Sequence, residues 1–358
     1  MKRINLLLGF LMMVSAVLTA QESSEEFKPS GKAFGKVFFN YNYDLTEDAS
    51  QKSEFQLQRV YLGYKYSFSK QFSAKITLDG GRQVKDKNKE ILTPYSAQVK
   101  IAQLDWKVSD AVKLSAGLIG LKQFDTQEKF WGYRYLFKSF QDEFALGSSA
   151  DLGLNAEIKL AKPLKANVFL VNGEGYSKLQ DENGRMKFGG NLIFEPIEGL
   201  IFKGYYDMYG GDFTKDNGDV VTDTTNIHTI AFFGGYKTDK FRIGAEYDLQ
   251  LNGTSYNKIA ADYNITGMAV YGTYVINNKF EVFAEWLQFK SNKVGNATDT
   301  WSTDKDGNVI VGGLQYAPVK GVKMALNYRT FLYDYAGDAN YPGLKDKSLV
   351  YLNFEFAF

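Results

Sequence analysis

The chain is a series of short segments in which apolar and polar residues alternate. In the last segment, 348–358, one parity is apolar (Val350, Leu352, Phe354, Phe356, Phe358) and the other is mostly polar (Tyr351, Asn353, Glu355, Ala357). Successive side chains of a strand point to opposite faces, so this segment predicts a strand with one apolar and one polar face. Because an unpaired apolar edge promotes aggregation, we expect the strand to close a barrel against the first strand.

The same alternation predicts sixteen strands, at about 36–44, 55–68, 72–79, 96–108, 112–121, 151–160, 164–171, 186–195, 200–208, 227–237, 241–250, 265–276, 280–289, 309–317, 322–331 and 348–358. Short turns alternate with long polar loops, which together with an even strand number is typical of bacterial outer-membrane barrels. The predicted fold is therefore all-β, a transmembrane antiparallel β-barrel with lipid on its apolar face. Sixteen strands leave room for an aqueous channel.

The longest connection, Lys122 to Ala150 between strands five and six, is unusually aromatic for a loop. So apolar a loop is expected to pack against protein, and the natural place for it is the inside of the barrel. We predict that it folds inward and narrows the lumen; packing on the barrel rim or against a neighbouring subunit are the alternatives. Its predicted constriction residues are Lys122, Glu128, Lys129, Arg134, Lys138, Asp142 and Glu143.

Charged residues also recur on the parity predicted to face the lumen. The strand alternation places ten of them on the lumen wall: Arg59, Lys65, Lys75, Lys113, Lys203, Arg242, Glu246, Asp248, Lys323 and Arg329. Charges of both signs across a lumen sort polar solutes, but they do not form a strong anion filter.

The first twenty residues have the parts of a secretory signal peptide. Lys2 and Arg3 precede an apolar core, and Ala20 is a small residue suited to cleavage, which predicts export to the outer membrane. The alternative is a single membrane anchor, for which the core is short. Residues 21–32 read as a polar periplasmic lead and 33–358 as the barrel. The 42 basic and 41 acidic residues nearly cancel, so no basic field indicates a nucleic-acid partner.

Two stretches carry a family resemblance. The segments Ala116–Phe130 and Phe137–Leu160, with Phe55–Phe68 upstream, resemble the phosphate-selective porin O/P family of outer-membrane channels. The resemblance implies a sixteen-stranded barrel, usually trimeric, with the third long loop in the lumen. Phosphate-selective members of that family resemble one another in a ladder of arginines along the lumen. The present chain departs from this pattern, because after residue 20 it has only six arginines: Arg59, Arg82, Arg134, Arg185, Arg242 and Arg329. Phosphate specificity is therefore not implied.

Enzymatic chemistry finds little support in the residues. A histidine base would have to be His228, the single histidine, and its place in a predicted strand favours a pore-wall or interfacial position. With 0 cysteines the chain has no thiolate ligand, and we predict no metal, no cofactor and no catalytic site.

The sequence thus predicts a porin that lets ions and small hydrophilic solutes diffuse passively, embedded in outer-membrane lipid as a homo-trimer. Two alternatives remain at this stage. One is a substrate-biased channel of the same fold, for phosphate or another anion or for an oligosaccharide that stacks on the aromatic loop. The other is a barrel that serves as an adhesin, an enzyme or a secretion component.

Overall fold

The computed structural model describes residues 27–82, 95–180, 184–210, 213–214, 220–221, 226–253, 263–293, 306–339 and 343–358. The predicted signal segment, 1–20, and the first part of the predicted lead lie outside these ranges. Neither of the two helices in the described ranges is long and apolar enough to cross a membrane.

The alternating segments form strands that join into one closed antiparallel barrel, which confirms the predicted fold. The barrel strands are β1 (Ser30–Asp44), β2 (Ser53–Ser67), β3 (Phe72–Arg82), β4 (Tyr95–Lys107), β5 (Val112–Gly120), β6 (Ala150–Ala161), β7 (Leu164–Val171), β8 (Lys187–Phe194), β9 (Leu200–Tyr209), β12 (Ile227–Lys237), β13 (Phe241–Gly253), β14 (Tyr263–Val275), β15 (Phe280–Lys293), β16 (Gly307–Val319), β17 (Val322–Tyr333) and β18 (Lys347–Ala357).

Two further strands, β10 (Phe213–Thr214) and β11 (Val220–Val221), pair with each other outside the barrel. They lie in a stretch that the sequence predicts to be a long loop. β1 begins at Ser30, six residues before the predicted start of the first strand, because 30–35 pair with the far end of β2.

The barrel closes where β1 pairs with β18. The register runs from Lys36 opposite Ala357 to Asp44 opposite Leu349. Beyond it, Gly35 and Phe358 exchange two backbone hydrogen bonds, each 3.1 Å long. The closing strand therefore leaves no exposed edge, as the alternation in 348–358 predicts.

The outer face of the barrel is apolar over its whole circumference. Exposed aromatic residues gather toward both ends of the strands, for example Tyr64, Phe202 and Tyr236 near the short turns and Tyr43 and Phe188 near the long loops. An apolar band between aromatic girdles is a surface suited to lipid. The inner face carries polar groups that are largely buried, such as Asn40, Asn155 and Asn327.

β-Bulges interrupt the alternation in two neighbouring hairpins. Between β1 and β2, Phe38 pairs with Arg59 but Phe39 pairs with Leu57, so Gln58 is skipped. Between β3 and β4 the ladder likewise shifts at Thr77 and Leu78. A bulge adds one residue to one strand and changes which parity faces inward.

The face assignment can be tested with two neighbouring residues of β3. Ile76 is 54% exposed on the outer face, whereas Lys75 lies on the inner face. We expect Ile76→Arg to lower the free energy of unfolding by about 2–4 kcal/mol, the cost of a cation in the lipid-facing band. The control, Lys75→Arg, should change it little. Urea unfolding in lipid vesicles, followed by tryptophan fluorescence, measures both, and equal losses would contradict the assignment.

Candidate functional site

The connection between β5 and β6 enters the lumen, as the sequence predicts. It contains two short helices, α1 (Asp125–Trp131) and α2 (Phe140–Glu143). Helix α1 ends at Gly132, whose φ of 82° lets the chain reverse direction, a conformation that glycine adopts readily. We call residues 122–149 the inner loop.

One side of the inner loop is an aromatic surface pressed onto the barrel wall. Its aromatic rings are all at most 8% exposed: Phe124, Phe130, Trp131, Tyr133, Tyr135, Phe137, Phe140 and Phe144. Tyr133 stacks on Phe283 of β15 with ring centroids 4.3 Å apart, and Phe144 stacks on Phe289 at 4.4 Å. These rings are covered by the wall, so they do not form the open stacking track considered for an oligosaccharide.

Two glycines of the wall make room for this aromatic surface. A Cβ atom at Gly235 would lie 2.6 Å from the Phe130 ring, and one at Gly267 would lie 1.9 Å from the Phe140 ring. Both distances are far below van der Waals contact, so any other residue at these positions would displace the ring. The glycines thus let the inner loop lie flat against β12 and β14.

Hydrogen bonds tie the inner loop to the same part of the wall. The Lys203 ammonium donates to the carbonyls of Lys122 (2.9 Å) and Gln123 (2.6 Å) and to the side chain of Gln127 (3.0 Å). The Tyr133 hydroxyl donates to Glu281 at 2.7 Å. Two further hydrogen bonds join the inner loop to β13 and to β18. Gln141 donates to Asp248 of β13, and Asn353 of β18 donates to the Tyr135 carbonyl.

The inner loop therefore divides the predicted lumen-wall residues into two groups. Five lie under or against it: Lys203, Arg242, Glu246, Asp248 and Arg329. Of these, Lys203, Glu246, Asp248 and Arg329 are at most 5% exposed, and Arg242 donates to the Trp131 carbonyl at 2.9 Å. The other five, Arg59, Lys65, Lys75, Lys113 and Lys323, are half-buried or exposed, and the Lys323 ammonium lies 5.7 Å from the Tyr135 ring centroid of the inner loop.

The opposite side of the inner loop carries its charged groups. Arg134 is the centre, 3.0 Å from Glu128 and 2.9 Å from Asp142. Lys138 lies 3.9 Å from Asp142. Lys122 and Lys129 both pair with Asp125, at 3.3 and 3.1 Å.

The carboxylates around Arg134 change its protonation energetics. Burial lowers the pKa of Arg134, but Asp142, Tyr61 and Glu128 together outweigh that effect, so the pKa lies above its ordinary value. Burial raises the pKa of Glu128, and the opposing effect of Arg134 does not cancel it. Arg134 thus stays charged, whereas Glu128 takes up a proton more readily than an ordinary glutamate.

A second charged cluster faces Arg134 from the wall of β2–β4. Arg59 donates to Asp79 at 2.6 Å, and the same carboxylate oxygen accepts a 2.7 Å hydrogen bond from the Tyr176 hydroxyl. Lys100 lies 3.8 Å from that oxygen. Arg134 interacts electrostatically with Arg59, and Glu128 interacts electrostatically with Lys100. Charges of both signs therefore face each other across the gap between wall and inner loop.

Sequence reasoning missed Lys100 and Tyr176. Tyr176 belongs to the connection between β7 and β8, and nothing in its surroundings in the chain marks it as a lumen residue. Lys100 is skipped by the strand ladder at the β3–β4 bulge. The sequence does indicate this bulge, because the apolar residues of β4 change from odd to even positions. They are Tyr95, Ala97 and Val99 before Lys100, and Ala102, Leu104 and Trp106 after it.

Two cavities lie on either side of the inner loop. The cavity toward the long loops, about 370 Å³, is lined by Arg59 and Arg134 together with Lys138, Glu143 and Arg329. The cavity toward the short turns, about 480 Å³, is rich in lysine: Lys107, Lys113, Lys122, Lys129, Lys159 and Lys165. It also contains the carboxylates Asp110, Asp125 and Glu157. We call the second cavity the lysine basin.

The remaining predicted residues lie elsewhere. Lys323 pairs with Glu355 at 3.1 Å, and Lys75 lies 5.4 Å from the Phe34 ring centroid. His228 is outside the lumen, where its Nδ1 is 2.9 Å from the hydroxyl of the outward-facing Tyr206. Within the described ranges, no three His, Asp or Glu residues are grouped so as to hold a metal ion.

Solved structures with the same architecture include outer-membrane channels and porins. Salmonella typhi OmpF, in complex with daunomycin, superposes with a TM-score of 0.67 at 15% identity, over 91% of this chain and 97% of OmpF. For the outer membrane channel DcaP of Acinetobacter baumannii the TM-score is 0.65 at 13% identity, over 95% and 100%. For an anion-selective porin from Comamonas acidovorans it is 0.63 at 11% identity, over 92% and 100%.

These likenesses establish the fold: the chain has the barrel architecture of outer-membrane porins. No protein-family model matches the sequence, and no curated protein matches it. The finer resemblance to the phosphate-selective O/P family stays a prediction.

The seating of the inner loop can be tested at Gly267. We expect Gly267→Val to push the Phe140 ring off the wall, at a cost of about 1–3 kcal/mol for overpacking. Amide hydrogen exchange in residues 139–146 should then become faster. The control is Gly272→Val on the same strand, where an added Cβ would meet only one carbonyl oxygen, at 3.9 Å. Equal exchange in both variants would show that Phe140 does not hold the inner loop.

Proposed function

We propose that the chain forms a water-filled channel in the bacterial outer membrane for passive diffusion of ions and small hydrophilic solutes, constricted by the inner loop. The observation that carries this is the asymmetry of the inner loop. Its aromatic side and its hydrogen bonds face β1, β8, β9 and β12–β18, and the charged group around Arg134 faces β2–β4 across the lumen. A loop seated on one half of the wall narrows a channel rather than filling it.

The likeness to DcaP, described as an outer membrane channel, and to an anion-selective porin supports the same conclusion. We infer that the channel residues are those facing the gap: Arg59, Lys100, Arg134, Glu128 and Asp142. We favour a channel over an enzyme because His228 lies on the outer face beside Tyr206 and away from both cavities. Export by the N-terminal signal segment, which the composition of residues 1–20 predicts, and assembly as a homo-trimer, which the family resemblance implies, belong to this proposal.

A substrate-biased channel is the second candidate, and the lysine basin is the observation that favours it. Its six lysines outnumber its three carboxylates. A positive vestibule raises the local concentration of anions and lowers that of cations. The bias is expected to be weak because four of those lysines are paired within the basin: Lys107 with Asp110, Lys113 with Glu157, and Lys122 and Lys129 with Asp125.

Conductance of the refolded protein in a planar lipid bilayer tests the channel. We expect large, steady current steps, because the proposed channel runs between the inner loop and β2–β4 and holds water. In a KCl gradient the reversal potential should be displaced modestly in the anion-selective direction by the lysine basin. Heat-denatured protein is the control. A barrel that is correctly folded but gives no steps would mean that the lumen is plugged, and the channel proposal would be abandoned.

The raised pKa of Glu128 predicts a pH dependence. As pH falls from about 7 to about 4, Glu128 should lose its charge earlier than an ordinary glutamate. The partial neutralisation of Arg134 is then lost, so the inner loop becomes more positive and the preference for anions should increase. Reversal potentials measured across this range should show the change. In Glu128→Gln that part of the pH dependence should be absent; an identical profile in the variant would exclude Glu128 as its origin.

A further inference from the structure

Lys100 is turned into the lumen by the β-bulge of the third and fourth strands. Ala102 and Leu104 point outward, and regular alternation would send Lys100 outward with them. The ladder instead pairs Thr77 with Ile101 and Leu78 with Val99, so Lys100 has no partner across the strand pair. A bulge can re-aim a side chain in this way, and here it keeps an ammonium group out of lipid, where a charge is costly.

Within the lumen the Lys100 ammonium is only weakly neutralised. Its ion-pair partner is Asp79, at 3.8 Å, but that carboxylate oxygen already accepts hydrogen bonds from Arg59 at 2.6 Å and Tyr176 at 2.7 Å. Two cations therefore share one carboxylate. Among the described residues no acceptor lies within hydrogen-bond distance of the Lys100 ammonium, so its N–H donors are free to contact a solute.

Aromatic rings fix the position of this ammonium. It lies 5.1 Å from the Tyr61 ring centroid and 4.9 Å from the Tyr176 ring centroid. Rings on two sides hold the side chain by cation–π attraction without consuming its hydrogen bonds. The side chain remains 14% exposed, on the wall that faces Glu128.

We propose that Lys100 is a specificity-determining residue of the channel: at the constriction it contacts anionic oxygen groups, carboxylates and phosphates, of passing solutes. Arg59, which donates to the same Asp79 oxygen, adds a second positive charge beside Lys100. The inference rests on the proposed channel function and names the residue that gives the constriction its anion contact.

The first test is the reversal potential of single-residue variants in a KCl gradient. We expect Lys100→Met to lower the ratio of chloride to potassium permeability about two- to fivefold, the scale of one unit charge about 4 Å from an ion in water. Lys100→Arg keeps the charge and should keep the ratio. Lys279→Met removes the same charge from an exposed position in the short turn between β14 and β15 and should change the ratio little.

The absence of cysteine allows a second, independent test. In Lys100→Cys, a membrane-impermeant ethylammonium thiosulfonate reagent should react and restore the permeability ratio, whereas an ethylsulfonate reagent should lower it further. Ala102→Cys, on the outer face, should not react.

The outcomes distinguish a failure of the proposed role of Lys100 from a failure of the proposed channel. Normal current steps with the same ratio in Lys100→Met and Lys279→Met would overturn the role of Lys100 and leave the channel intact. A Lys100→Cys thiol that is unreactive in an otherwise conducting protein would also overturn it. If the unaltered protein gives no steps, the channel and the role of Lys100 fail together.

Discussion

The pairing of β1 with β18 is the interaction on which the rest of the structure depends. Within lipid, no water is available to satisfy backbone N–H and C=O groups, so an open sheet edge cannot be tolerated. The register from Lys36–Ala357 to Asp44–Leu349, extended by the Gly35–Phe358 bonds, removes that edge. Closure makes every strand face lipid on one side and the lumen on the other, and it creates the interior in which the inner loop is held.

The seating of the inner loop follows from a local exception to that two-sided pattern. The inner face of β14–β16 is apolar where a water-filled lumen would call for polar groups, with Ile265, Leu287 and Val311 all nearly inaccessible. Burial of this wall against the aromatic side of the loop removes both surfaces from water, which is favourable. Lys203 fixes the position of the inner loop on this wall, because its three hydrogen bonds satisfy acceptors of the loop that would otherwise be buried without a donor.

Charge is nearly balanced throughout the lumen, and the small imbalances determine the ion preference expected of the proposed channel. Arg134 sits between two carboxylates, and most cations of the lysine basin have a carboxylate within reach. Such pairing gives the lumen wall polar groups without forming a strong anion filter. The surplus is positive at Lys100 and in the lysine basin, so the expected behaviour is broad permeability with a modest preference for anions.

The sequence alone was sufficient for the barrel. Strand number, faces, the alternation of short and long connections and the inward position of the aromatic loop all depend on a period of two and on hydrophobicity, which are local properties of the chain. The apolar inner wall that contacts the inner loop is also indicated locally in the sequence, because both parities of 280–289 contain apolar residues. Phe283, Leu287 and Phe289 occupy the parity that elsewhere carries polar groups.

Only the tertiary structure decided which lumen charges stay accessible and which become covered. Lys203 and Lys75 are equivalent by parity, yet the inner loop covers one and leaves the other open. The cluster at Asp79 depends on Tyr176, 97 residues away in the chain, and on a bulge that shifts one strand by a residue. Alternation determines the face of each side chain but not its neighbours, because those are set by register and by loops that return from distant parts of the barrel.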